Sequence, residues 1–483
     1  MTSPTPSPAP SPAAPPGGLG VDLHLDLSGA GSRRAALIGA LREAVRHGRL
    51  APGTPLPPYR TLAADLGVAR NTVADAYAEL VAEGWLTSRQ GSGTRVAERV
   101  AAPSPGPVRT TAPPPLPYDL VQGKPDPAAF PRAAWLAAAR RALTDAPDEA
   151  FGIGDPYGRT ELRRALAEYL ARVRGVRTSP ERIVICSGAA HALRLLARVL
   201  GPGPWAVEAY GLPFHRGLLA GAGVATVPVA VDAEGARTAD LPRHARAVLL
   251  TPAHQFPTGG PLHPGRRADA LEWARASGGL VVEDDYDGEF RYDRRPVGAV
   301  QALDPDRTVF LGSVSKSLSP ALRIGWMCLP GSLVEPVVAA KGLREPHTSA
   351  LDQLTLAEFL VSGGYDRHVR RMRQRHRARR DRLVAVLAER VPGVRVTGIA
   401  AGLHAVVGLP SGTERAVLAA AARHGVAVEG LAPYRHPDAE PVPGGLPDGL
   451  VVGYATPPER SYGPALDALC AALREALEET RAR

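Results

Sequence analysis

Three side chains in this sequence carry a primary amine: Lys124, Lys316 and Lys341. Lys316 has the setting that could make its amine reactive. It lies in FLGSVSKSLSPALRIGW, where an apolar strand from Val309 to Gly312 delivers Ser313, Ser315 and Lys316 into a loop and Arg323 follows seven residues after the lysine. A lone lysine is ordinarily solvated surface, but this one leaves a buried run and sits among small hydroxyls. Schiff-base chemistry needs an amine of lowered pKa, and hydroxyls with a guanidinium suit a phosphate. Both needs meet in pyridoxal 5'-phosphate, whose aldehyde forms an imine with a lysine.

Three further segments bear on that chemistry. In LVVEDDYDGEFRY an apolar strand runs into Glu283, Asp284, Asp285 and Tyr286. A carboxylate at a strand's C-terminal end could pair with a pyridinium nitrogen and keep the ring an electron sink, and Tyr286 could hydrogen-bond the ring's phenolic oxygen. Two other readings stay open for this segment: an acidic turn at a sheet edge, and a metal site, although no histidine lies close to it in sequence. In ICSGAAHALRLLARVL a strand, a small-residue turn at Gly188 and Ala189, and a helix start follow one another. Helix N-terminal N–H groups can hold a phosphate there, although such turns are common. TPAHQFPTGG places His254 and Gln255 at the end of another strand.

A different chemistry is suggested nearer the N-terminus. RAALIGALREAVRHG puts Leu37, Leu41, Ala44 and Val45 on one helical face. Tyr59 to Leu66 suits a short helix, Gly67 a tight turn, and Arg70 to Glu83 a second helix with Val73, Tyr77 and Leu80 inward. Arg70, Asn71 and Thr72 are thereby left at the exposed N-terminal end, where a helix–turn–helix presents its base-reading residues. WLTSRQGSGTRVA reads as two short strands around glycines, a wing. Arg60 and Arg89 could reach flanking phosphates, and Gly91 would let the wing approach a groove closely. A small helical bundle with a solvated arginine face is the plainer reading of the same pattern.

The elements that must position these residues follow from composition and periodicity. The chain has 483 residues, 45% hydrophobic and 22% charged, with a formal net charge of +9 that favours polyanion partners and with nearly all its positive groups arginine. Residues 1–20 hold seven prolines, so residues 1–32 read as a low-complexity, disordered tail; 101–117 hold seven more and read, with their flank from 99, as a stiff linker. Between them, 33–98 form the first domain. From 118 to 483 the apolar runs at 183–186, 224–229, 247–250, 280–284 and 308–312 alternate with helical stretches. The expected fold class is therefore α/β with a mostly parallel central sheet. The stretch 366–382 suits a long exposed helix, either a solvated face or an accessory surface for DNA. No membrane span or secretory signal is expected. Cys186, Cys328 and Cys470 are too scattered for a disulfide framework or a metal cluster, which fits the cytoplasm.

LPPYRTLAADLGVARNTV with GSGTRV resembles the GntR-type winged helix, and that resemblance places Arg60, Arg70, Asn71, Thr72 and Gly91 at DNA-contact positions. Ala69 stands where that family often has a capping serine. The four C-terminal segments, in order, with GDPYGRTELRRALAEYL, resemble the fold-type-I aminotransferases over 118–483, which have a smaller C-terminal α+β subdomain. The fusion of the two resembles the MocR/GabR transcription regulators. The resemblance implies pyridoxal phosphate on Lys316, Asp284 at the ring nitrogen and Tyr286 near the phenolic oxygen. It places the phosphate against Gly188, Ala189, Ser313 and Arg323. It also implies double-stranded DNA as partner, an amine, amino acid or pyridoxal phosphate as effector, and a head-to-tail homodimer. Three departures matter. Asn71, the one asparagine, is in the other domain, so His254 or Gln255 must serve opposite the phenolic oxygen. Leu212 stands where a ring-stacking tyrosine is usual, which leaves Tyr210 or Phe214 to substitute for it. Gly449 stands where a carboxylate-holding arginine is usual. Little or no transaminase turnover is expected.

Overall fold

The computed structural model describes residues 25, 27, 32–89, 93–98, 115–292, 297–342, 348–440 and 448–481. The chain divides into two units, Met1–Pro113 and Pro114–Arg483. Gly91, expected on the wing, lies outside the described residues, as do most of the tail and residues 99–114.

In the first unit the Ser32 hydroxyl accepts the Ala35 N–H and starts α1 (Arg33–Arg46). α2 (Tyr59–Asp65) and α3 (Arg70–Ala82) follow, then β1 (Leu86–Arg89) paired antiparallel with β2 (Gly93–Val96). Leu37, Leu41, Leu62, Val73, Tyr77, Leu80, Leu86 and Val96 share one core, on which Leu25 and Leu27 also pack. The Tyr77 hydroxyl donates to Pro57 O at 3.0 Å, which fixes α3 against the turn that precedes α2. α3 begins at Ala69 without a side-chain cap, a loss typically worth about 1 kcal/mol.

The second unit runs β3 (Tyr118–Asp119), α4 (Arg132–Thr144), α5 (Thr160–Arg174), β4 (Ile183–Cys186), α6 (Ala189–Leu200), β5 (Trp205–Glu208), α7 (Pro213–Gly221) and β6 (Thr226–Val229). The small hairpin β7 (Val231–Asp232) and β8 (Gly235–Ala236) leads to β9 (Ala247–Leu250), α8 (Pro264–Ser277), β10 (Leu280–Asp284), β11 (Thr308–Ser313) and β12 (Gly325–Cys328). α9 (Gly331–Lys341), α10 (Ala350–Val361) and α11 (Gly364–Arg390) come next. The chain then forms β13 (Arg395–Thr397), β14 (His404–Leu409), α12 (Glu414–Arg423), β15 (Val426–Ala427), β16 (Glu429–Gly430), β17 (Asp448–Gly453) and α13 (Glu459–Arg481).

The central sheet has the order β4-β12-β11-β10-β9-β5-β6. Its contacts are parallel except those of β12, which is antiparallel to β11 and β4. Helices cover both faces, so strands such as LVVED are buried along their whole length and read as unbroken apolar runs. α6 turns Ala192, Leu193, Leu195 and Leu196 to the sheet. A second, antiparallel sheet, β13-β14-β17-β16, packs with α11, α12 and α13 as the smaller subdomain. The parallel pair β3–β15 ties the first strand of the unit to that subdomain.

α11 differs from the expected solvated helix. Tyr365, His368, Val369, Met372, His376 and Arg379 are buried along it. Arg379 donates to Tyr454 O and Pro457 O (3.2 and 2.8 Å) and to Glu459 (2.7 Å), and Arg375 reaches Asp126 at 2.7 Å. A guanidinium fork can satisfy several carbonyls at once, so part of this basic run is internal scaffolding. No helix among the described residues is long and apolar enough to cross a membrane.

Candidate functional site

In the first unit Arg60, Arg70 and Asn71 are exposed and Thr72 is half-buried at the start of α3; Arg89 is exposed at the end of β1. The Arg70 guanidinium lies over the Tyr59 ring, 5.1 Å from its centroid, so it is held near the helix N-terminus. The carboxylates Glu79 and Glu83 of α3 pair with Arg34 and Arg42 of α1. They are thereby paired off about two to three and a half turns beyond the N-terminal residues.

In the second unit β10, β11, the turn before α6 and the segment after β3 converge on a cavity of about 220 Å³. Gly188, Ala189, Asp284, Tyr286, Ser313, Ser315, Lys316 and Arg323 all line it. At one end Gly188 caps α6 with φ +93°, and a Cβ there would meet the Arg323 guanidinium at 3.5–3.8 Å. Arg323 donates to Ser187 O at 2.5 Å. It is itself left-handed, with φ 53°, the one such non-glycine among the described residues. Strain of about 1–3 kcal/mol tends to be retained where function needs the geometry. A guanidinium beside helix N–H groups and serine hydroxyls is an anion cradle.

Strand alternation sorts the acidic run. Glu283 faces away and accepts the N–H groups of Val300 and Gln301, both at 3.0 Å. Asp285 is taken by a buried two-pronged pair with Arg174 (2.7 and 2.8 Å). Asp284 alone of the three lines the cavity. Burial, then the nearby Asp285 charge, pushes its carboxyl up to about 7. His215 approaches it, Nδ1 to Oδ2 3.9 Å, and burial pulls that imidazole down to about 4, so it is neutral near pH 7.

Lys316 lies at the cavity wall, and its Nζ donates to Gly123 O at 2.6 Å. Burial lowers its pKa against the opposing charges of Asp284 and Asp287. That is the direction nucleophilic amine chemistry requires.

His254 and Gln255 do not line the cavity. The Gln255 amide donates to Tyr210 O and Phe256 O (2.8 and 2.7 Å), and its Oε1 accepts Thr258 N–H at 3.1 Å, which builds it into the turn. His254 reaches the cavity through Tyr286: its Nδ1 lies 2.9 Å from both Tyr286 Oη and Asp287 Oδ2. Leu212 lines the cavity and Gly449 does not. Four contributors escaped sequence reading. Asp287 lies within LVVEDDYDGEFRY, and His215 follows three residues after Leu212. His404 lines the wall from β14, and Gly123 acts through its backbone, which leaves no side-chain signal. Among the described residues no group of three or more His, Cys, Asp or Glu is placed to hold a metal ion.

Residues 34–96 match the model of the bacterial regulatory proteins of the gntR family, and 119–438 match aminotransferase class I and II. The sequence is 35% identical over 373 residues, 76% of this chain and 81% of the relative, to the HTH-type pyridoxine biosynthesis transcriptional regulator PdxR of Corynebacterium glutamicum. It is 35% identical over 371 residues, 72% of this chain and 75% of the relative, to the probable rhizopine catabolism regulatory protein MocR of Rhizobium meliloti. The crystal structure of Pyrococcus horikoshii kynurenine aminotransferase, in complex with PMP, superposes with TM-score 0.67 at 27% identity, covering 74% of this chain and 91% of that one.

Proposed function

From the premise that this chain belongs to the MocR family of transcription regulators, with a gntR-type DNA-binding head and an aminotransferase class I and II domain, we propose that its second domain holds pyridoxal phosphate as an imine on Lys316 and that the state of this site sets the affinity of the head for DNA. The observation that carries the reading is one cavity in which a buried amine of lowered pKa stands with a phosphate cradle, Gly188 with Arg323, and with a buried carboxyl, Asp284. The cofactor would supply an aldehyde and an electron-poor ring. Ser313, Ser315, Ala189 and Arg323 would hold its phosphate, Asp284 its ring nitrogen and Tyr286 its phenolic oxygen. His254, with Asp287, would position Tyr286; Gln255 would hold the turn that carries His254. The solved neighbour that holds PMP supports this cofactor class. The reading assigns 33–98 to the head, 99–117 to a linker and 118–483 to the effector domain of a head-to-tail dimer acting on double-stranded DNA in the cytoplasm. The effector is an amine, an amino acid or the cofactor itself. The visible absorbance of a lysine imine in the purified protein tests the reading most directly.

Asp284 gives it a second test, in which two readouts move oppositely. A carboxyl whose folded pKa is raised from 3.8 to about 7 holds a proton that the unfolded chain has released. Its burial therefore weakens the fold progressively as pH rises from about 4 to about 7, and by a constant amount above. Asp284→Asn should raise stability, by on the order of 1–4 kcal/mol at pH 8 and by less at pH 5. The same change should weaken cofactor binding and shift its spectrum. Thermal melts at both pH values and a cofactor titration decide this. Unchanged affinity and spectrum would remove Asp284 from the ring nitrogen.

On the DNA side, Arg70→Ala or Asn71→Ala should cost about 1–3 kcal/mol on the operator if these residues read base edges. The salt slope should also be steep, with roughly 0.9 added per phosphate neutralised. Binding series on operator and random duplexes separate the roles. Equal losses on both would mean that the residues hold phosphate and read no sequence.

A further inference from the structure

The residues that enter the second unit from the linker run directly into the wall of the cavity. Tyr118 N–H donates to Gly425 O at 3.0 Å and Leu120 N–H to Ala427 O at 2.8 Å, while Leu120 O accepts Gly453 N–H at 2.7 Å. The next four residues are held by side chains instead of a strand partner, beginning with Val121 N–H, which donates to Asp119 Oδ1 at 2.9 Å. The Thr456 hydroxyl faces both Val121 O and Lys124 O (2.7 and 2.9 Å), but it has one proton to share between them. The Gln122 amide donates to Tyr434 Oη at 3.1 Å. Lys316 Nζ donates to Gly123 O at 2.6 Å, the shortest of these contacts. Gly123 has φ +81°, and a Cβ there would stand 3.1 Å from that same Nζ. The positive φ favours glycine here, and a side chain would also crowd the amine.

We infer that the Gly123 carbonyl is a positioning group for the Lys316 amine, and that covalent capture of this amine loosens residues 121–124 and so signals the site's state to the linker. The inference rests on the reading of Lys316 as the imine lysine. When Nζ, as the free amine, condenses with an aldehyde, one C=N bond forms. The carbonyl oxygen leaves as water and carries away both amine protons. Reprotonated, that nitrogen would carry a single N–H, which the phenolic oxygen beside Tyr286 would claim. Nothing then remains to donate to Gly123 O. A backbone carbonyl left without its donor in a half-buried wall is unfavourable, so the segment relaxes until water reaches it. The stretch runs straight into the strand at 118–120, so the loosening extends to that strand's pairing and opens the Tyr118 and Leu120 N–H groups to exchange. Residues 99–117 continue from that strand to the head, so the change at one nitrogen reaches the linker through residues 118–120.

Hydrogen exchange of peptides covering 117–126 and 450–456, read beside the absorbance spectrum and DNA affinity, tests this on the full-length protein. Loading wild-type protein with pyridoxal phosphate should produce the imine band and accelerate exchange in 117–126 by roughly 10- to 100-fold, the scale of losing one hydrogen bond from a charged donor. Removing the cofactor with hydroxylamine should restore slow exchange; that comparison needs no variant. Lys316→Ala should exchange fast with or without cofactor and should bind DNA with the affinity of loaded, not unloaded, wild type. An imine band with exchange in 117–126 unchanged within twofold would overturn the coupling and leave Lys316 as the imine lysine. So would a Lys316→Ala protein that behaves as unloaded wild type. Absence of any imine band on loading would remove the reading beneath the inference, and the inference with it.

Discussion

Borohydride reduction of the cofactor-loaded protein should fix the cofactor to one peptide, the one that carries Lys316, and Lys316→Ala should reduce the fixed label to background. A lowered amine pKa alone does not single this lysine out, because Lys341 is also buried and also lowered by burial. Geometry separates them. Lys341 spends its protons on Pro156 O and Ile185 O (2.6 and 2.7 Å) and does not line the cavity. Lys124 is exposed, 3.4 Å from Asp119. Only Lys316 shares a wall with the Gly188–Arg323 cradle and Asp284. Lys316→Arg should fail to rescue the label, since a guanidinium stays protonated at any pH the fold tolerates. Both variants should retain weaker, non-covalent cofactor binding through the phosphate cradle and Asp284. Mass spectrometry of the reduced, digested protein measures this, and label on Lys124 or Lys341 would overturn the assignment.

Much of this site could be seen in the sequence because its parts follow buried parallel strands, whose unbroken apolar runs are among the plainest signals a sequence carries. Each run ended in a segment with an unusual residue set, SVSK, EDDYD or SGAA, and the sheet order brought those ends together. The head was legible through a different signal, the helical spacing of Val73, Tyr77 and Leu80. Three things were not legible. β3 is two residues long and pairs with Val426 and Ala427, and a strand so short has no period to read. The role of Gly123 rests on a carbonyl, and every residue has one. The basic run in α11 looked like a solvated face because charge pattern reports how many guanidiniums there are and says nothing of the carbonyls of Tyr454 and Pro457 that take them up.

The last expected result concerns what the second domain does not do. Incubated with amino acids and 2-oxo acids, the loaded protein should turn over on the order of 100-fold or more below the ~1–1000 per second of ordinary enzymes. A transaminase must fix its substrate's carboxylate so that the bond broken at Cα stands across the ring plane, and a misplacement of about 1 Å can cost on the order of 100-fold. Two features of this chain work against that fixation. Gly449, where an arginine would be expected, lies in β17, and its N–H donates to Glu414 Oε2 at 3.1 Å. The nearest groups to a side chain there would be Val407 O, Val406 and Leu431. That neighbourhood offers an acid and apolar walls where a cation was needed. Among the described lining residues the one arginine is Arg323, which stands beside Gly188 at the end proposed for the phosphate. Leu212 lines the cavity where a stacking ring is usual, and Phe214, which also lines it, is largely exposed. His404, whose Nε2 lies 3.1 Å from Pro257 O and so acts as the donor, is pulled down to about 3 by burial. It stands in the wall as a neutral acceptor at Nδ1, better suited to a hydroxyl or an amine than to a carboxylate. Product formation and DNA affinity, followed in the same samples, decide between sensing and catalysis. Turnover at ordinary rates would make this domain a working aminotransferase that carries a DNA-binding head. A ligand-dependent change in DNA affinity without product is the expected outcome, because a site that binds without aligning Cα can still shift a conformational equilibrium by its differential affinity for the two states.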